Sequence, residues 1–478
     1  MKRTLLALAL MVALPSHAEE ERRSTAADQI ALAVTIYNHD LALVKDARKV
    51  KLGEGENRLA WREVSARIQP ETALLHALDG NRLTLLEQNF DFDLLTPGKL
   101  LEKSVGEGVR VIRTHPITGT EFVESATVVS ANEGVVLQFL DRVETGVPGR
   151  MAFSAIPQGL RDRPTLTMLL AADPALKGYR VQERPLELSY LTGGLGWKAD
   201  YVVELAGDER QMDLNGWVTL TNTSGVSYAN ARLQLVAGEV NRAPEPRTRV
   251  PLMARALAMA DAAPAMREES LFEYHLYTLD RPTTLHDSQT KQVALLSAQN
   301  VKVSKEYRLN GGDWYYLGQT SDPGQKLKPG VFMEFSNTGE PLGVPLPKGV
   351  VRVYKKDRDG RAQFIGEDRI EHTSRGEVVR LKLGEAFDIT ADRKQTDFQK
   401  LNAFNSRGSV FESAYQLEIR NAKKEKVVVK VNEPMPGDWQ VIQESQPHKK
   451  DSAQMAVWEV AVPAEGKALL TWRVRVKN

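Results

Sequence analysis

The chain contains no cysteine, which closes it to a disulfide framework, a thiolate nucleophile and any thiolate metal site. Net charge is nearly absent too: 63 Lys and Arg stand against 62 Asp and Glu, so nothing in the charge balance favours nucleic acid or an anionic lipid surface. After the first residues no apolar run reaches the roughly 18 residues that a spanning helix needs. The charged faces of the strand-like segments speak against an outer-membrane barrel. H-E-x-x-H, G-x-S-x-G, the Walker loop and the Ca-loop pattern are all missing, as are heptads and repeats of 20 to 50 residues. A triad assembled in space stays open, because triads need no sequence adjacency, but nothing nominates its members. No cofactor is expected.

What is present starts at the N terminus. Met1-Lys2-Arg3, an apolar stretch to Leu14, the break at Pro15 and Ser16-His17-Ala18 form a basic, apolar and small-residue succession of the kind that is cleaved on export. The expected mature chain begins at Glu19, with a periplasmic or secreted location. Removing Lys2 and Arg3 leaves 61 basic against 62 acidic side chains. With Glu19 at the new end there is no cysteine for a lipid anchor.

Period-two alternation then dominates, and it predicts an all-β protein of several modules. Residues 19–184 form an N-terminal β domain opening with strands Ala33–Tyr37 and Ala42–Asp46 around Asn38-His39-Asp40. Within it, closely spaced strands at about 100–153 suggest a small SH3-like barrel. Residues 185–394 read as a central β-sandwich carrying a Pro-, Ala- and Met-rich mobile insertion at 241–270, with a short helix starting near Pro251. Residues 395–478, with strands over Ala414–Asn421, Lys426–Asn432, Trp439–Gln443, Met455–Val462 and Ala468–Val476, fit an immunoglobulin-like sandwich. The clearest hairpin joins Val350–Lys355 to Arg361–Gly366 through a loop ending Asp359-Gly360. The same logic pairs Thr219–Thr223 with Ala231–Val240, and Gln416–Arg420 with Val427–Val431.

Candidate chemistry is sparse. His275 and His286 lack the tight spacing and extra ligands of a zinc site and read as strand or turn residues, so no metal is expected. Met253, Met259 and Met266 have no interleaved histidine for copper, and read as flexible cover for a groove or as linker. The Gly-rich Leu191–Lys198 returns at once to strand alternation, so its glycines serve a turn or bulge rather than a dinucleotide. The aromatic cluster Trp314-Tyr315-Tyr316 is the most distinctive. As a strand it places Trp314 and Tyr316 on one face and Tyr315 on the other, leaving either two buried faces or one face free to meet a sugar ring or a protein. Trp314, Tyr315, Tyr316, Met253 and Met259 are therefore the candidate contacts.

Leu188–Tyr201, Leu214–Gly225, Leu235–Val240, Leu346–Tyr354, Phe364–Asp368 and Leu470–Val476 together resemble the domain of unknown function 4139, found in mucoidy-inhibitor A-like proteins. The resemblance implies a β-rich, secreted or envelope-associated protein without an established reaction. Relatives often place a coiled coil ahead of the shared region, where this chain has the barrel-like module. The resulting expectation is an exported, non-enzymatic envelope protein offering a β-domain surface to a protein or polysaccharide partner. The alternative is an envelope hydrolase acting on glycan or peptide through a carboxylate pair that the sequence does not identify.

Overall fold

The computed structural model describes residues 21–477 apart from 54, 147–148, 158, 172–180, 242–265, 320–325, 341 and 402–408. The expected export segment, the expected helix near Pro251 and the positions of Met253 and Met259 lie outside the described residues. The protein is all-β, as alternation predicts, and its contacts divide it into two units. No described helix is long and apolar enough to cross a membrane.

The first unit comprises the chain to Gly196 with Thr221–Val236 and Arg281–Lys291. Gln29–Tyr37 and Leu41–Gly53 form its first hairpin, and the reversal places His39 and Asp40 at positive φ, a conformation that short polar residues tolerate. Tyr228–Ala237 joins this sheet in parallel beside Gln29–Tyr37, and Val181–Thr192 flanks Leu41–Gly53 on the other side. A second sheet pairs Thr165–Ala171 with Asn57–Arg62 and Thr84–Asp91, burying Leu59, Trp61, Leu166 and Met168. Residues 108–153 form a separate five-stranded antiparallel sheet with its own small core of Val111, Val128, Leu137 and Phe139.

In the second unit, Leu195–Leu205 pairs in parallel with Gly349–Lys356. Gly349 permits the approach, since a Cβ there would lie 2.4 Å from the Ala199 carbonyl oxygen. Gly349–Lys356 and Ala362–Ile370 form the expected hairpin, with Gly360 at φ +79°. Two further sheets face one another as a sandwich. One runs Val378–Glu385, Gly330–Ser336, Ser304–Asn310, Val427–Pro434, Met455–Val462, Lys449–Ser452, and the other Lys326–Leu327, Ile389–Leu401, Val410–Asn421, Gly466–Lys477, Asp438–Glu444. Alternate side chains of both meet in one core around Trp458, Trp472, Leu417, Val429, Val460 and Val474. The two sheets thus draw several strands from ahead of residue 395.

Three expectations of local structure are corrected. Val410–Asn421 and Val427–Pro434 do not pair with each other: the chain arches from one sheet of the sandwich to the opposite one. The buried Asn421 side chain makes the arch possible, accepting from the Lys423 amide and donating to the Glu425 and Pro463 carbonyls. Nor do Gln211–Asn222 and Tyr228–Ala237 pair; the first belongs to the sheet of Leu195–Leu205 and the second lies beside Gln29–Tyr37. Asn222 plays the part of Asn421, accepting from the Ser224 amide and donating to the carbonyls of Val226, Leu285 and His286. A polar connection with an inward asparagine satisfies its own backbone and needs no ladder. Third, the described end of the insertion is regular: Met266–Leu271 pairs with Tyr274–Leu279. Gly194, by contrast, acts in a turn as expected, at φ +82° and so close to Ser224 that a Cβ would meet its Cα at 2.6 Å.

Candidate functional site

The aromatic cluster is not a strand. Ser304–Asn310 ends where Asn432 donates to Asn310 at 2.9 Å, and Asp313–Tyr316 then winds into a 3₁₀ turn with Asp313 accepting from the Trp314 amide. With about three residues per turn, successive side chains point in three directions rather than two. Trp314 therefore faces solvent at 61% exposure while Tyr316 is fully buried, and Tyr315 is half-buried. Glycine at two consecutive positions makes this possible. A Cβ on Gly311 would sit 2.1 Å from Glu433 Oε2, and one on Gly312 would sit 2.6 Å from the Trp314 indole nitrogen, so the turn lies against the carboxylate and the indole folds back over the chain.

Below the turn is a buried polar group. The Tyr316 hydroxyl donates to Glu433 Oε2 at 2.7 Å and accepts from the Trp472 indole at 3.3 Å. Arg393 Nη2 donates to Glu433 Oε1, and its guanidinium lies 4.8 Å from the centre of the Tyr315 ring, a cation–π contact. Trp314 in turn meets Tyr315 at 4.2 Å between ring centres. Tyr415 donates to the Tyr315 carbonyl and accepts from Gln395, which also holds the Gly318 carbonyl. Tyr415 stacks on Trp472 at 5.4 Å. Arg393 is less completely partnered: its Nε and Nη1 are buried with no hydrogen-bond partner among the described residues. Burial pushes the Glu433 carboxyl above its ordinary range, against the opposing pull of Arg393 and Tyr316. Burial and the nearby Glu433 raise the Tyr316 hydroxyl well above its usual value.

Arg393 and Glu433 are the residues that the sequence reading missed, and the signal was available. Val427, Val429 and Val431 alternate inward, and the same phase carries Glu433 inside; Ile389 and Ala391 do the same for Arg393. A charged residue continuing an apolar phase marks a buried polar site.

The two histidines stand apart from this chemistry. His275 Nδ1 meets Glu268 at 2.7 Å across its hairpin, and the His286 amide donates to Gln289. Among the described residues no group of three or more His, Asp or Glu side chains is arranged to hold a metal.

The second unit also contains a cavity of about 330 Å³. Its walls include Leu205, Val331, Phe332, Met333, Ile365 and Leu383, and its charged lining is Glu209, Lys305, Lys423, Glu385 and Asp388. Glu209 is held between Lys305 and Lys355. Burial alone would raise this carboxyl, but the two lysines outweigh it and bring it down to about 2.

Fold and site together define an all-β, multi-sheet protein bearing an aromatic turn that follows an interior strand of a two-sheet sandwich. The chain belongs to the family of the domain of unknown function DUF4139, whose model matches residues 186–478. No curated protein matches the chain significantly.

Proposed function

We propose that the protein is an exported, non-enzymatic component of the cell envelope whose β-sandwich presents a binding surface, centred on Trp314, to a protein or polysaccharide partner. The observation that carries this reading is the exposed indole on a turn pinned from beneath by Tyr315, Tyr316, Arg393 and Glu433. An aromatic side chain already held in place loses little freedom on binding, and aromatics of this kind anchor protein interfaces or stack on sugar rings. The basic, apolar and small-residue N terminus supports export.

Of the three acids that line the cavity, Glu209 does not suit the proton-donor role in a hydrolytic reading. Glu209, held at about 2 by its lysines, is ionised at neutral pH and has no proton to give a leaving group.

The test is capture from envelope extract, with a glycan array alongside, using the full chain and Trp314→Ala. The reading expects a protein or glycan retained by the native chain and lost by the variant at unchanged melting temperature. Equal retention by both, or retention by neither, would refute it.

A further inference from the structure

The cavity of the second unit is built by two β-bulges. In the pairing of Gly330–Ser336 with Val378–Glu385, Val331 faces Gly384 and Phe332 faces Lys382, leaving Leu383 as the extra residue. In the pairing of Gly349–Lys356 with Ala362–Ile370, Val353 faces Gly366 and Tyr354 faces Phe364, leaving Ile365 as the extra residue. Both extra residues line the cavity. A bulge re-aims a side chain at the cost of a local break in the ladder, and is common beside binding sites. Each break sits at a glycine of positive φ, Gly384 at +147° and Gly366 at +153°. Gly366 also brings the two strands together, since a Cβ there would lie 2.4 Å from the Leu383 carbonyl oxygen.

The cavity is apolar along these walls, and its charged lining is two lysines and three acids. Lys305 and Lys423 lie 5.8 and 5.4 Å from the centre of the Tyr307 ring. Lys305 is committed to Glu209, whereas Lys423 makes no ion pair among the described residues. The other two acids of the lining, Glu385 and Asp388, are solvent-exposed. Between them in the chain Phe387 lines the cavity and remains 83% exposed, an apolar ring that a ligand would cover. A volume of about 330 Å³ is at the lower end of the range for small-molecule sites.

We propose that this cavity binds a single-chain amphiphile with an anionic head, the tail lying between Phe332, Ile365 and Leu383 and the head meeting the Lys423 ammonium. The inference does not depend on the aromatic turn. It is tested by calorimetric titration of the full-length protein with decanoate below its micelle-forming concentration, with decyltrimethylammonium and acetate as the other probes. Decanoate is expected to bind in a saturable way, the cationic amphiphile at least about tenfold more weakly, and acetate not at all, as a charge-assisted head contact with an apolar tail requires. Lys423→Met should weaken decanoate about tenfold, a loss expected for one such contact, while Lys423→Arg restores it. Ile365→Trp should abolish binding by filling the space. Equal affinity for the two amphiphiles, an unchanged affinity in Lys423→Met, or no saturable binding of decanoate would each overturn the proposal, the first two marking nonspecific adsorption to exposed apolar surface. Melting curves of each variant confirm the fold, and Lys423 takes part in the arch only through its backbone.

Discussion

Each unit contains a buried arginine that faces a buried carboxylate and lies beside an aromatic ring, Arg48 in the first and Arg393 in the second, and the two arrangements end differently. In the first unit Arg48 donates Nε to Asp46 at 2.9 Å and its terminal nitrogens to the Ser24 and Arg62 carbonyls, while Asp46 also accepts from Trp61 and Gln29. Its guanidinium lies over the fully buried Trp61. In the second unit Arg393 reaches Glu433 through Nη2, with two nitrogens unpartnered among the described residues, and lies against Tyr315, which carries the exposed Trp314. A buried donor left unmade costs about 1–3 kcal/mol. The satisfied pair is a structural clamp; the incomplete one stands directly behind an aromatic surface. Cost of this kind gathers where the fold serves something besides its own stability.

The comparison can be broken most forcefully in the first unit. Asp46→Ala leaves the Arg48 charge buried and unpaired, and should cost about 3–5 kcal/mol in urea unfolding; a loss below about 1 kcal/mol would show that the clamp is not one. Replacing both members separates the sites further. Arg393→Met with Glu433→Leu removes a poorly satisfied pair but also the acceptor of the buried Tyr316 hydroxyl, and should cost no more than about 1–3 kcal/mol. The matching double change at Arg48 and Asp46 should destabilise more, because Ser24, Arg62, Trp61 and Gln29 all lose their partners.

Acid titration sharpens the contrast with a smaller effect. Asp79 is held at about 2 by hydrogen bonds from Arg184, and Glu209 at about 2 by Lys305 and Lys355 against its burial. Both are depressed below their ordinary values of 3.8 and 4.5. The stability they contribute is therefore complete above about pH 5 and is lost as pH falls toward 2. Glu433 is raised, so its contribution runs the other way: largest below 4.5 and lost as pH rises through its folded value. Melting temperatures followed from pH 7 to pH 2 should fall at the acid end in the native chain. In Glu433→Gln the stabilisation that proton uptake by Glu433 brings as pH falls below its raised folded value should be absent, so the acid-side fall in melting temperature should be steeper than in the native chain. The smallest effect on stability belongs to Trp314→Ala, within about 0.5 kcal/mol as for other exposed positions, and chemical denaturation measures it.

Much of the architecture was legible in the sequence because an alternating pattern survives wherever one face of a strand is buried. Along Met455–Val462, for example, the alternation puts Trp458, Val460 and Val462 inward. The Asp359-Gly360 loop announced its hairpin through turn chemistry. What could not be read was partnership across long separations: Tyr307 pairs in parallel with Val429, and no local pattern encodes that. The arches at Asn222 and Asn421 look like hairpin returns because both kinds of connection are short and polar; only the inward direction of one amide side chain separates them. At Trp314 the aromatic run imitated a strand, and the two glycines before it, which a turn against Glu433 requires, were the better guide. Arg393 and Glu433 were concealed by ordinary charge patterning until their phase with Ala391 and Val431 was followed.

The most direct test of the central claim, that the pinned Trp314 turn is a binding platform, is fluorine NMR of the fluorotryptophan-labelled full chain, with the Trp314 resonance assigned through Trp314→Phe. On addition of envelope extract, fractionated into protein and polysaccharide, that resonance should shift or broaden with one fraction while those of the buried Trp61, Trp458 and Trp472 stay in place. A Trp314 resonance unmoved by both fractions would contradict the account.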